Sequence, residues 1–144
     1  MSNALALNLI REAEGCTLTA KKDSQGFEIG WGHHTPNVFV GLTWTQDQAD
    51  AQLLIDADNA AADAQYVVGA SCWATLNEAR QAALIDMAYE LGRHRLLGFI
   101  DMTRAVQTGD WQKAHDEALN SEWATQVPTR SQRVASILLS GDIA

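Results

Sequence analysis

Along the first fifteen residues the apolar positions recur at helical intervals. Leu5, Leu9, Ile10 and Ala13 fall on one face, which predicts a helix over residues 3–13. Asn3 is placed to cap its start and Gly15 to stop it, which leaves Glu14 at the helix end. From Thr17 to Val40 the period changes. Thr17, Thr19, Phe27, Ile29, Val38 and Val40 are β-formers set among glycines at 26, 30, 32 and 41. This pattern predicts a small antiparallel sheet with tight turns. Thr45-Gln46-Asp47-Gln48 then reads as a capping box. The Ala-, Asp- and Leu-rich stretch that follows, to about Tyr66, contains no Gly or Pro. One helix of about 20 residues spans roughly 30 Å, enough to link two lobes. Helices are also expected near 77–91, 97–107, 111–120 and 130–139, separated by Gly92, Gly109 and the Pro128 region.

The layout is α+β in a single domain. A β-rich lobe covers about 14–44, an interlobe helix 45–66, and a helical lobe 1–13 together with 66–144. With 144 residues, 47% of them hydrophobic, the chain can build a core without disulfide staples. Its net charge of −8 argues against nucleic acid as a partner, because phosphate binding needs clustered Lys and Arg. The same charge argues against simple electrostatic capture by anionic envelope polymers. Cys16 and Cys72 form no CxxC and are expected as buried free thiols. No run approaches the roughly 18 apolar residues of a membrane span, so stable membrane insertion is not expected. The N-terminal stretch lacks a basic start and is broken by Asn8 and Arg11. It reads as an amphipathic helix and not as an export signal.

Three carboxylates stand close together in the sequence. Glu14 leaves the first helix, Asp23 follows nine residues later, and Glu28 five after that, within KKDSQGFEIGWGHH. An acid at a helix end facing a carboxylate on a hairpin suits glycoside hydrolysis. That reaction needs one protonated acid for the leaving oxygen and a second carboxylate to activate water or attack carbon. A chain with 18 Asp and Glu also places pairs at this spacing by chance. No G-x-S-x-G, P-loop or dinucleotide fingerprint is present. His33 and His34 are adjacent, and no third ligand stands at a familiar spacing, so neither a metal nor a cofactor is expected. Of the tryptophans, Trp111 and Trp123 read as packing residues, while Trp31 lies between glycines beside the carboxylates and is the better cleft candidate.

The segment EGCTLTAKKDSQGFEIGWGHH resembles the lysozyme family of T-even and related phages. The matching features are Glu14-Gly15, Asp23, Gly26 and Ile29-Gly30-Trp31-Gly32-His33. LNEARQAALIDMAYELG, Gly98-Phe99 and SEWATQVPTRSQRV extend the resemblance from about residue 5 to 141. It implies a lysozyme-like fold and cleavage of the β-1,4 bond between N-acetylmuramic acid and N-acetylglucosamine in bacterial peptidoglycan. Glu14 would be the general acid. Asp23 would orient or activate water, or stabilise positive charge on the sugar. Arg130 matches an arginine that lies against the acid, and Tyr89 and Glu90 match positions lining the sugar groove. His33 and Asp56 match a structural pair on the interlobe helix.

The chain departs from that family in two places. The hairpin is one residue shorter, and Glu28 stands where the family has a water-holding Thr. Either Glu28 puts a third carboxylate into the cleft, as base or nucleophile, or it points elsewhere as a solvated strand residue. Ala13 replaces an acid beside the catalytic Glu, which should loosen charge pairing around Arg133.

The biological expectation is a monomeric endolysin that waits in the host cytoplasm and is released to the wall of a Gram-negative host. It would need no separate wall-binding domain, and the short acidic end SGDIA gives no basic membrane-active tail. The alternatives are a non-catalytic peptidoglycan-binding or virion structural protein on the same fold, and a virion-associated lysozyme.

Overall fold

The computed structural model describes residues 3–143. Helix α1 (Ala4–Glu14) begins where the Asn3 side chain accepts the Ala6 N–H, and it buries Ala6, Leu7, Leu9 and Ile10. It stops at Gly15, whose φ of 64° carries the chain out of the helix while its N–H still bonds Arg11 O. Glu14 is therefore the last helical residue, at the negative end of the helix dipole.

A hairpin follows, β1 (Thr17–Asp23) against β2 (Gly26–Gly30), joined by Ser24 and Gln25. Asp23 pairs with Gly26, Lys22 with Phe27 and Lys21 with Glu28; the register then shifts before Thr17 meets Gly30. Among the described residues the sheet has these two strands, so the expected strand character around Val38 and Val40 is not realised. Residues 35–44 instead wrap the hairpin as a loop, bonded at Ala20 N–H to Leu42 O and Trp44 N–H to Leu18 O. Val38 packs into a small cluster with Ala20 and Ile29, while Val40 is exposed. Pro36 and Gly41 bracket that stretch and prevent a continuous ladder.

Helix α2 (Gln46–Val68) starts with the capping box read from the sequence, with both Thr45 and Gln48 bonds formed. Its 23 residues span about 34 Å. It packs against β2 at one end and against α4 along its length. Then come α3 (Ala70–Thr75), α4 (Glu78–Leu97), α5 (Ile100–Thr108), α6 (Trp111–Leu119), α7 (Glu122–Gln126) and α8 (Pro128–Ser140). The short α3 and α7 were not legible in the periodicity. Helix α4 is the hub, in contact with α1, α2 and α8, and every residue from Ala82 to Ala88 is buried. At Gly92 its path kinks through φ 77°.

Trp123 is buried and Trp111 half-buried, the latter with the Arg80 guanidinium 3.8 Å from its ring centre. The thiols differ from expectation. Cys16 is exposed, because it follows directly on the surface turn at Gly15, and Cys72 is half-buried. Among the described residues no helix is long and apolar enough to cross a membrane.

Candidate active site

Glu14, on α1, is held by Arg130 of α8, which Asp86 of α4 anchors in turn. The Arg130 Nη1 group, in the first turn of α8, donates to Glu14 Oε1 at 2.6 Å. The same guanidinium donates from Nη2 to Asp86 Oδ1 at 2.7 Å and from Nε toward Asp86 Oδ2 at 3.4 Å. Glu90 Oε1 lies 3.8 Å from Arg130 Nε and accepts the Trp123 indole N–H at 2.6 Å. Burial pushes the Glu14 carboxyl above its ordinary value; Arg130 opposes this by charge and hydrogen bond, and the Glu90 and Glu28 charges add to the rise. For Arg130, burial works against the charge, but Asp86 and Glu14 outweigh it and the guanidinium is held more firmly protonated. Tyr89 donates its hydroxyl to the Trp31 carbonyl and so ties α4 to the hairpin end. Its phenol is raised, by burial first and then by the charges of Asp56 and Glu14.

The facing wall is the hairpin. Asp23 Oδ1 accepts the Gln25 N–H at 2.8 Å, which closes the turn. Asp23 Oδ2 lies 3.2 Å from His34 Nε2, and Glu28 Oε2 lies 3.4 Å from the same nitrogen. Glu28 Oε1 pairs with Lys21 Nζ at 3.1 Å, as their opposed register positions require. Glu28 thus does not point away as a solvated strand residue. It joins Asp23 and His34 in a group whose ligand-type atoms all lie within 4.8 Å of one another. Folding supplies here the company for a histidine that sequence spacing lacked. Lys21 lies against one Glu28 oxygen, and a single His34 nitrogen lies between the other and Asp23.

Between the walls is a cavity of about 230 Å³ lined by Glu14, Asp23, Gly32, His34, Tyr89 and Glu90, among others. Glu28 is not part of its lining. Beyond Glu14 a second cavity of about 410 Å³ runs along Glu90, Pro128, Thr129 and Arg130. A larger cavity, about 510 Å³, lies elsewhere, beside Phe99 and Trp123. Gly32 makes the close approach of the walls feasible. Its φ is 81°, and a Cβ there would overlap the Glu14 carboxylate.

Trp31 sits otherwise than its sequence position suggested. Its indole N–H donates to Asp50 Oδ1 at 2.9 Å on α2, and the Arg11 guanidinium lies 5.8 Å from the ring. The ring is thus engaged in docking the hairpin to α1 and α2. His33 turns away from its neighbour and bonds Asp56 Oδ2 at 2.6 Å. Around Arg133 the expected loosening is confined to Nε, which is buried without a hydrogen-bond partner among the described residues. Glu12 takes its Nη1 at 2.7 Å, Leu9 O its Nη2 at 2.8 Å, and Asp86 Oδ2 lies 3.6 Å away, so the acid missing at Ala13 is replaced from either side.

Two residues escaped the sequence reading. Asp86 was not singled out, although a lone charge in an otherwise apolar run is a signal of its own. His34 was weighed only as a metal ligand.

A sequence model of the phage lysozyme family matches residues 11–137. An endolysin of Lactococcus phage c2 is 46% identical over 89 residues, covering 60% of this chain and 37% of that one. The pre-baseplate central spike protein Gp5 of Enterobacteria phage T4 is 37% identical over 71 residues, 49% of this chain and 12% of its own. The peptidoglycan hydrolase gp36 of Pseudomonas phage phiKMV is 30% identical over 115 residues, 78% of this chain and 13% of its own. The chain thus spans little more than a third of the endolysin's length and about an eighth of the other two. With a match over most of its length, the chain belongs to the phage lysozyme family.

Proposed function

We propose that the protein is a muramidase. It hydrolyses the β-1,4 bond between N-acetylmuramic acid and N-acetylglucosamine in peptidoglycan. The observation that carries this reading is the asymmetry of the cleft. Glu14, raised in pKa by burial and backed by Arg130, faces Asp23, which is backed by His34, across a cavity of about 230 Å³. Glu14 donates its proton to the glycosidic oxygen as the bond to the anomeric carbon breaks. Asp23 stabilises the resulting positive charge and orients or activates the water that supplies the new hydroxyl. Arg130 and Tyr89 hold the wall against which the sugar lies, and Glu90 lines the groove. Trp31 contributes by fixing the hairpin more than by offering a sugar platform. Both Glu28 oxygens are engaged, with Lys21 and His34, and the side chain stands outside the cavity lining. Its part is to add negative charge near Glu14 and Asp23.

The biological role proposed is that of an endolysin, supported by the Lactococcus phage relative. A wall-cutting component of the virion is a second reading, favoured by the similarity to the spike protein Gp5. Presence of the protein in purified particles would select the second. The activity itself is tested on purified peptidoglycan, by reducing the new sugar ends with borohydride and identifying them. Muramic acid ends that form with wild type and not with Glu14→Gln support the proposal. Binding to the wall with no new ends in either form would replace the enzyme by a wall-binding protein.

A further inference from the structure

We propose that Asp86 is a positioning residue for this reaction. It anchors the Arg130 guanidinium and takes up enough of its charge that Glu14, on another nitrogen of the same group, keeps a proton to give. The inference rests on the reading of Glu14 as the acid.

Asp86 is fully buried on α4, where a carboxylate needs partners. Two nitrogens of Arg130 point at it, Nη2 at 2.7 Å and Nε at 3.4 Å, whereas Glu14 receives only Nη1 at 2.6 Å. The fork is thus set by Asp86, and Glu14 meets a cation already engaged. The local charges point the same way. Arg130 and Arg133, both from α8, face Asp86 and Glu90 on α4 and Glu12 on α1 before Glu14 is counted. Glu28 on β2 adds negative charge from the opposite wall, and Tyr89 on α4 is also set near Glu14. Two cations are therefore outnumbered by carboxylates when Glu14 is still neutral. Ionising Glu14 adds one more negative charge to a partly buried cluster, which favours the proton. Were Asp86 uncharged, the Arg130 charge would fall on Glu14 and draw the proton off at lower pH.

The test is a carboxyl-carbon NMR titration of wild type and Asp86→Asn, with pH profiles of kcat/KM on soluble peptidoglycan fragments. In Asp86→Asn the Glu14 midpoint is expected to fall by about one pH unit or more. The alkaline limb of activity should move with it, giving about a tenfold loss at pH values above the new midpoint. Asp86→Glu, which keeps the charge, should keep the limb near its wild-type position even if the rate falls. An unmoved Glu14 midpoint in folded Asp86→Asn would overturn the proposal. If that variant does not fold, wild type decides. The proposal requires the Asp86 signal to stay that of an ionised carboxylate while Glu14 titrates, and uptake of a proton at Asp86 in that range would sink it. Failure of the acid reading looks different: Glu14→Gln would retain turnover, whatever the titrations show.

Discussion

The two walls of the cleft carry the same chemical group in different settings. The Glu14 wall is assembled from α1, α4 and α8, three segments distant in the sequence, and its cation Arg130 is buried. The hairpin wall gathers Lys21, Asp23, Glu28 and His34 from one short segment, where they pair with one another. On the first wall burial dominates and raises the carboxyl, even with a guanidinium in contact. On the second, the carboxylates meet Lys21 and His34, both more exposed than Arg130. In the proposed mechanism, acid and partner are thus distinguished by where the fold puts them and not by residue type.

The most severe way to break this contrast is Glu14→Gln. Loss of the general acid should cost about 10²- to 10⁴-fold in turnover, read as muramic acid ends released from purified peptidoglycan. The same variant should show an opposite trend in stability. Because folding raises the Glu14 pKa, the native state holds a proton that the unfolded chain releases. Wild-type stability from this group is therefore lost as pH climbs from the ordinary carboxyl value of 4.5 to the native midpoint, and stays lost above it. Glutamine has no such cost. The melting temperature of Glu14→Gln relative to wild type should be more favourable at pH 7 than at pH 4. A difference that shrinks with rising pH would mean that Glu14 is stabilised as an anion, and the acid assignment would go with it.

Gly32→Ala attacks the spacing between the walls. The new methyl would overlap the Glu14 carboxylate, and φ 81° is unfavourable for alanine. A shift of Glu14 of order 1 Å is enough for about a 10²-fold fall in turnover. The strained backbone should cost about 1–3 kcal/mol in denaturant unfolding. Retained activity in a folded Gly32→Ala would show that the walls can separate without harm.

How far each wall was legible in the sequence follows from the same difference. The hairpin wall is local: its turn, glycines and carboxylates stand within one stretch, so Asp23 and Gly32 could be read directly. Even there, the fold decided what one-dimensional spacing could not, for example that His33 and His34 turn to different partners. The helical wall joins residues 14, 86, 90 and 130, and no periodicity brings those together. Arg130 and Glu90 were reached only through the family resemblance, and Asp86 was missed because nothing in the sequence shows which arginines its buried carboxylate meets. Arg133 was only half read for a related reason. Ala13 removes one acid, but Glu12 and Asp86 approach from directions only the packing defines.

The smallest expected effects lie at the rim of the hairpin, and they decide what Glu28 does. Lys21 is largely exposed, so its pair with Glu28 should be worth under about 1 kcal/mol, and Lys21→Gln should change stability by no more than that. Glu28→Gln removes a charge that raises the Glu14 carboxyl, so the alkaline limb of the pH profile should move slightly downward. Turnover at the optimum should fall less than about tenfold, because a residue outside the cavity lining acts through the field and not by contact. Should Glu28→Gln be as inactive as Glu14→Gln while melting normally, Glu28 must move to reach the sugar. It would then be the carboxylate that attacks carbon or activates water, and Asp23 would be reduced to holding the turn and His34.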